Sequence, residues 1–161
     1  MLDEPRLDLA HGLVEQGLAL VSSGEADALC GVELLAIEAT ARERGLGLWA
    51  GERYKPVAAA DVAKLQQLTG SFALVEGRVR SVGERRQRTY LNFGADWTAD
   101  FTITIPKRSW ARMQERGLSA AALRGRRVRA RGVIEAWQGP ALEIVAPEML
   151  EILDEDRGRY R

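Results

Sequence analysis

The sequence predicts an α+β protein: an N-terminal helical segment, then a five-stranded β-barrel with a helix between its third and fourth strands. Three observations lead there. Apolar residues recur at three- to four-residue spacing through residues 7–50, and the period switches to alternation at Phe72. Glycines stand inside the first and fourth alternating runs, Gly77 and Gly132, where a small barrel coils most sharply. The chain has 161 residues, enough for one ordinary domain or two very small ones.

The elements follow in order. Leu9, Leu13, Gly17 and Leu20, widened by Ala10, Val14, Leu18 and Val21, form the apolar stripe of a first helix. Ser22-Ser23-Gly24 breaks it, and either serine suits a helix N-cap. A second helix is expected over residues 26–44, with Cys30, Leu34, Ile37 and Ala41 inward, Glu38 paired to Arg42 outside, and Gly45 and Gly47 as stops. Glu33, Glu38 and Glu43 are read as its solvated face. Residues 51–70 read as a linker with a short helix from Asp61 to Leu68 that Thr69-Gly70 closes. Five strands then follow: Val75 and Val79 inward; Leu91 and Phe93 inward; Phe101, Ile103 and Ile105 inward; Val128, Ala130 and Ile134 inward; Leu142 and Ile144 inward. Between the third and fourth, Trp110, Met113, Leu118 and Leu123 suit one or two short helices that fill the barrel end, so Trp110 is placed in the core. Strand-strand-strand-helix-strand-strand is the order of an OB barrel. Another small barrel or an α+β sandwich are the alternatives. The divisions are 1–50 helical, 51–70 linker, 71–153 barrel and 154–161 charged tail.

Composition narrows function. Cys30 is the only cysteine and His11 the only histidine, which excludes an internal disulfide and an ordinary Cys/His zinc site. No apolar run approaches the ~20 residues of a membrane span, and the first ten residues are too charged for a signal peptide. Phosphate-cradling Gly-Lys loops, dinucleotide glycine fingerprints and nucleophile elbows are absent from the sequence. Asp96 and Asp100 flank Trp97, but two loop carboxylates more often make turns than hold a cation. No catalytic residue, metal site or cofactor is therefore assigned. The 23 basic and 23 acidic side chains cancel overall, yet not locally. Residues 1–70 hold 6 basic and 11 acidic side chains, whereas residues 71–152 hold 14 basic and 9 acidic.

Two stretches carry a family resemblance. Gly12-Leu13-Val14-Glu15-Gln16-Gly17-Leu18-Ala19-Leu20-Val21, with Glu33-Leu34-Leu35-Ala36-Ile37-Glu38-Ala39 and Ala41-Arg42-Glu43-Arg44-Gly45-Leu46-Gly47-Leu48-Trp49, resembles the helices that follow the barrel in thermonuclease (staphylococcal nuclease-like) proteins. Val75-Glu76-Gly77-Arg78-Val79, Arg88-Thr89-Tyr90-Leu91-Asn92-Phe93-Gly94, Asp100-Phe101-Thr102, Leu123-Arg124-Gly125-Arg126-Arg127-Val128 and Gly132-Val133-Ile134 resemble an OB domain appended to some bacterial members. The resemblance implies a calcium-dependent nuclease parent, exported or periplasmic. Its catalytic barrel, with the calcium-binding aspartates, general-base glutamate and phosphate-clamping arginines, has no matching positions in this sequence. The chain is thus expected to be non-catalytic, as a fragment or a truncated member.

The positive expectation is a surface. OB barrels bind on the face of strands two and three, between the loops that join strands one to two and four to five. That places Arg78, Arg80, Tyr90, Asn92, Thr102 and Thr104 outward on strands. Arg85, Arg86 and Arg88 belong to the first loop, and Trp137 with Gln138 to the second. Cations that track phosphates beside aromatics that stack bases suit single-stranded DNA or RNA. The alternatives are a structural or protein-interaction scaffold, with the N-terminal helices contacting a partner, and a part of a phosphodiesterase whose catalytic barrel lies elsewhere.

Overall fold

The computed structural model describes residues 4–22 and 31–154, and the chain divides into two units between Lys55 and Pro56. In the N-terminal unit, α1 (Glu4–Glu15) packs on α2 (Gly31–Glu43). The sequence stripe runs on to Val21, but α1 stops six residues earlier. Gly17 adopts φ +72°, so that Gly17 N–H bonds Val14 O and Leu18 N–H bonds Leu13 O, the Schellman closure that ends a helix. Its carbonyl then accepts from Leu48 N–H at 2.8 Å. A Cβ on Gly17 would lie 2.2 Å from Leu46 O, so the helix ends meet backbone to backbone.

One expectation fails in this unit. Glu38 is fully buried rather than solvated. Its Oε1 accepts from Val21 N–H at 2.9 Å, and Oε2 lies 3.6 Å from Arg42. The carboxylate thereby caps the returning chain, and the Arg42 guanidinium sits 5.5 Å over the buried Trp49 ring. The expected helix start at Ala26, the Ser23 cap and the packing of Cys30 lie outside the described residues. His11 is exposed. No helix among the described residues is long and apolar enough to cross a membrane.

The second unit is the barrel. β1 (Val57–Ala58) pairs in parallel with β2 (Phe72–Arg78). α3 (Val62–Gln67), capped by the Asp61 carboxylate on Lys64 N–H, sinks Leu65 completely into the core. The stretch read as linker therefore contributes core side chains, because Val57, Ala59 and Leu65 all pack into it. β3 (Ser81–Glu84), β4 (Arg88–Asn92) and β5 (Thr102–Pro106) follow. Then come α4 (Lys107–Glu115), α5 (Ala120–Leu123), β6 (Arg127–Ala136), β7 (Pro140–Glu143) and β8 (Leu150–Ile152). Trp110 and Met113 of α4 are buried, and Trp110 Nε1–H donates to Glu84 Oε1 at 2.8 Å.

The hydrogen-bonded path runs β1-β2-β6-β7-β5-β4-β3, with β8 beside β6. β2 and β3 are successive lengths of one extended run that changes partners at its bend. Val79 N–H bonds Arg126 O on one side, and Arg80 N–H bonds Asn92 O on the other. β6 likewise serves β2 with its first half and β7 with its end. Counting β2–β3 as one strand gives five, with the helix after the third and a parallel pairing of the third with the fifth (β5 with β7). This is the partly open OB barrel. The core rows Val82·Leu91·Ile103·Leu142 and Thr89·Ile105 face inward as the alternation requires.

β8 has no counterpart in the sequence expectations, and it covers a residue that alternation places outward. Arg131 is 1% exposed. Its guanidinium lies 3.6 Å from Glu151 of β8. A buried cation is tolerable only with such a partner.

Candidate functional site

The register of β3, β4, β5 and β7 builds two outward rows. One runs Ser81·Asn92·Thr102·Ala141, the other Gly83·Tyr90·Thr104·Glu143. Opposite Tyr90, Gly83 adds no side chain to the face, and a Cβ there would meet nothing within 4 Å. Trp137 reaches over from the β6–β7 hairpin, whose tip closes with Trp137 N–H on Gly139 O. Its ring stacks on Tyr90 with centroids 5.7 Å apart and planes 14° from parallel. That offset arrangement is favourable for two quadrupolar rings.

A third aromatic joins them. Trp97 lies 6.4 Å from Trp137 with a 40° tilt, and both indoles are 53% exposed. Its loop is held by two carboxylates. Asp96 accepts from the Thr98 hydroxyl and Thr98 N–H, and Asp100 Oδ2 accepts from Asp96 N–H at 2.9 Å. The hydrogen bonds from Thr98 hold the Asp96 carboxyl below its ordinary value. These carboxylates thus serve the turn, and among the described residues no three His, Cys, Asp or Glu side chains gather for a metal. The loop and the hairpin touch at Gly139, where a Cβ would lie 2.5 Å from Ala99 O. This backbone contact sets Trp97 beside Trp137.

The result is a cleft of about 290 Å³, lined by Gly83, Arg85, Tyr90, Asn92, Trp97, Thr102 and Trp137. A second, of about 280 Å³, flanks the same Tyr90–Trp137 stack with Arg88, Thr104, Glu135, Ala136, Ala141 and Glu143. The structure therefore gathers Arg85, Tyr90, Asn92, Thr102 and Trp137 in one cleft. Arg88 and Thr104 belong to the other, and Arg88 is engaged there with Glu143 at 2.7 Å. The bond to Glu143 raises the Arg88 pKa further above its already high value. Thr102 faces the cleft but is 3% exposed, because its strand lies at the sheet centre. Arg80 and Arg86 are exposed, line neither cleft and make no ion pair among the described residues.

Arg78 is outward, as expected, but like Arg80 and Arg86 it lines neither cleft. At the far end of β2 it bonds Gly125 O at 2.6 Å and pairs with Asp154. Arg127 and Arg129 also leave the basic surface, because Glu76 pairs with both, at 3.1 and 2.7 Å. Gln138 is exposed at the hairpin tip beside Trp137. Trp97 is the residue that sequence reasoning missed. A tryptophan in a Gly-Ala-Asp loop was the available signal, but its neighbour lies forty residues away along the chain.

No family model matches the sequence, and no curated protein does either. Solved structures share parts of it. An OBody bound to hen egg-white lysozyme is 17% identical, spans 59% of this chain and 92% of its own, and superposes with a TM-score of 0.43. The S. pombe Stn1-ten1 complex gives 13%, 52%, 59% and 0.40 in the same order. Asparaginyl-tRNA synthetase from Pyrococcus horikoshii gives 18%, 54%, 20% and 0.40, so only a fifth of that enzyme is matched. At these scores, the OB assignment rests on the strand order and the parallel β5–β7 pairing above.

Proposed function

We propose that the barrel binds single-stranded nucleic acid, without catalysing chemistry on it, across the face of β4 and β5. The observation that carries this reading is the gathering of Tyr90, Trp97 and Trp137 beside Arg85. It lies where OB barrels take oligonucleotides, on the face of the second and third strands between two loops. Half-exposed indoles in one cluster are costly to leave in water and suit stacking on base faces. Arg85 and Arg86 in the adjoining turn have no acidic partner among the described residues and are available to phosphates.

The thermonuclease likeness of residues 12–49 is compatible with this role. In that reading the barrel would hold a strand for a nuclease unit outside this sequence. The test is a titration of the protein with single-stranded DNA at low salt, followed by tryptophan fluorescence and repeated as salt is raised. Quenching that weakens with salt supports the proposal, whereas no quenching, or binding indifferent to salt, overturns it. Calcium-dependent cleavage of the oligonucleotide by this chain would overturn the non-catalytic part.

A second reading has its own observation. The other cleft carries Glu135 beside the Arg88–Glu143 ion pair, a net negative lining that disfavours a phosphate chain and suits a protein contact. Under that reading, replacing Arg85 and Arg86 leaves partner binding unchanged.

A further inference from the structure

We infer that the first cleft is a subsite for one unstacked nucleobase, walled by Trp97, Trp137 and Tyr90 and read along its edge by Thr102 and Asn92. This deepens the single-strand reading above and rests on it. The decisive group is Thr102. Its Oγ1 is buried and has no hydrogen-bond partner among the described residues, although a buried hydroxyl is costly to leave unpaired. Thr102 lines the cleft, and a turn about χ1 would bring the hydroxyl, now inaccessible, to the edge of an inserted ligand.

Asn92 stands opposite Thr102 in the register. Its amide nitrogen donates to Ser81 Oγ at 3.1 Å, which orients the amide and leaves the carbonyl oxygen as an acceptor. A hydroxyl that both donates and accepts, beside a fixed acceptor, matches the donor–acceptor edge of a base splayed out of its stack. Size agrees. The cleft's 290 Å³ lies just below the range of about 300–1,000 Å³ typical of small-ligand sites. One planar heterocycle suits it, not a stack of several.

Gly83 supplies the gap. A side chain at that position would stand in open space within the cleft lining, and its backbone is not in the left-handed region. The strand's direction follows from charge. On the far side of the Tyr90–Trp137 stack, Arg88 is engaged by Glu143 and Glu135 leaves the lining net negative, which disfavours phosphates. The backbone of the bound strand therefore leaves past Arg85 and Arg86.

The experiment uses the full chain and fluorescein-labelled short homo-oligomers of dT, dC and dA at low salt, read by anisotropy. The wild type is expected to rank the three, with about three- to tenfold between best and worst. Thr102→Val should flatten that ranking with the salt dependence unchanged, while Thr102→Ser keeps it. Gly83→Leu fills the gap without strain and should weaken all three by about tenfold. Urea unfolding of each variant shows that the barrel is intact. If the oligomers bind but neither Thr102→Val nor Gly83→Leu alters affinity or ranking, the base subsite is refuted and the single-strand reading stands. If no oligomer binds the wild type, both fall.

Discussion

Gly139→Ala tests the contact that assembles the site. The added Cβ would lie 2.5 Å from Ala99 O and 2.7 Å from both Ala99 C and Asp100 O. Ordinary contact begins near 3.4 Å, so backbone must retreat by about 0.9 Å. Neither side has a flexible tip to give way. The turn around Asp96 is closed by Asp100 N–H on Asp96 O at 2.7 Å, and the hairpin tip by Trp137 N–H on Gly139 O. Overpacking of this kind costs about 1–3 kcal/mol. At a urea slope of about 2 kcal/mol per molar, 2 kcal/mol lowers the unfolding midpoint by about 1 M. The same shift draws Trp97 away from Trp137, so oligonucleotide affinity should fall by up to one stacking increment, about 1–3 kcal/mol. Gly83→Ala is the control, since its Cβ meets nothing; its stability should stay within about 0.5 kcal/mol of the wild type, about 0.25 M in the midpoint. A Gly139→Ala protein that unfolds and binds like the wild type would refute the loop–hairpin contact as the cause of the cluster.

Three further outcomes follow from the same geometry. Trp137→Ala should cost about 1–3 kcal/mol in oligonucleotide binding. It should also lose the stack on Tyr90, about 0.5–1.5 kcal/mol of stability, lowering the urea midpoint by about 0.3–0.8 M. Arg85→Gln with Arg86→Gln should flatten the plot of log affinity against log salt by about 0.7 for each phosphate no longer neutralised, whereas Arg127→Gln, already paired to Glu76, should leave that slope alone. In acid, Asp96 and Asp154 both matter. Hydrogen bonds from Thr98 and from Arg127 N–H hold them below the ordinary 3.8. A carboxylate lowered by folding contributes stability that is complete above its unfolded pKa and lost as pH falls through the folded one. Urea midpoints should therefore drop below about pH 4, and less so in Asp154→Asn.

The barrel was legible because its signals are local. Alternation alone set Leu91, Ile103 and Leu142 inward, and the registers agree. The helix over Asp61 to Leu68 and the core position of Trp110 followed from caps and apolar spacing in the same way. What the sequence hid is long-range. Glu38 looks like one of three exposed glutamates until the chain returns and offers Val21 N–H to it. Arg131 looks outward until β8 covers it. Trp97 and Trp137 meet only because Gly139 lets two loops touch.

The same long-range pairing changes what the basic half of the chain means. Arg78, Arg88, Arg127, Arg129 and Arg131 all face carboxylates, so much of the local excess is cancelled where it stands. Arg80, Arg85 and Arg86 are exposed without such a partner among the described residues, as are Lys107, Arg108 and Arg124 around α4 and α5, and of these Arg85 lines the first cleft. Two or three phosphate contacts on a single strand give a salt slope of only about −1.4 to −2. That is too little to hold a strand through charge alone. Affinity must then come from the rings, and a ligand that offers phosphates without unstacked bases, such as duplex DNA, should bind far more weakly than a single strand of equal length.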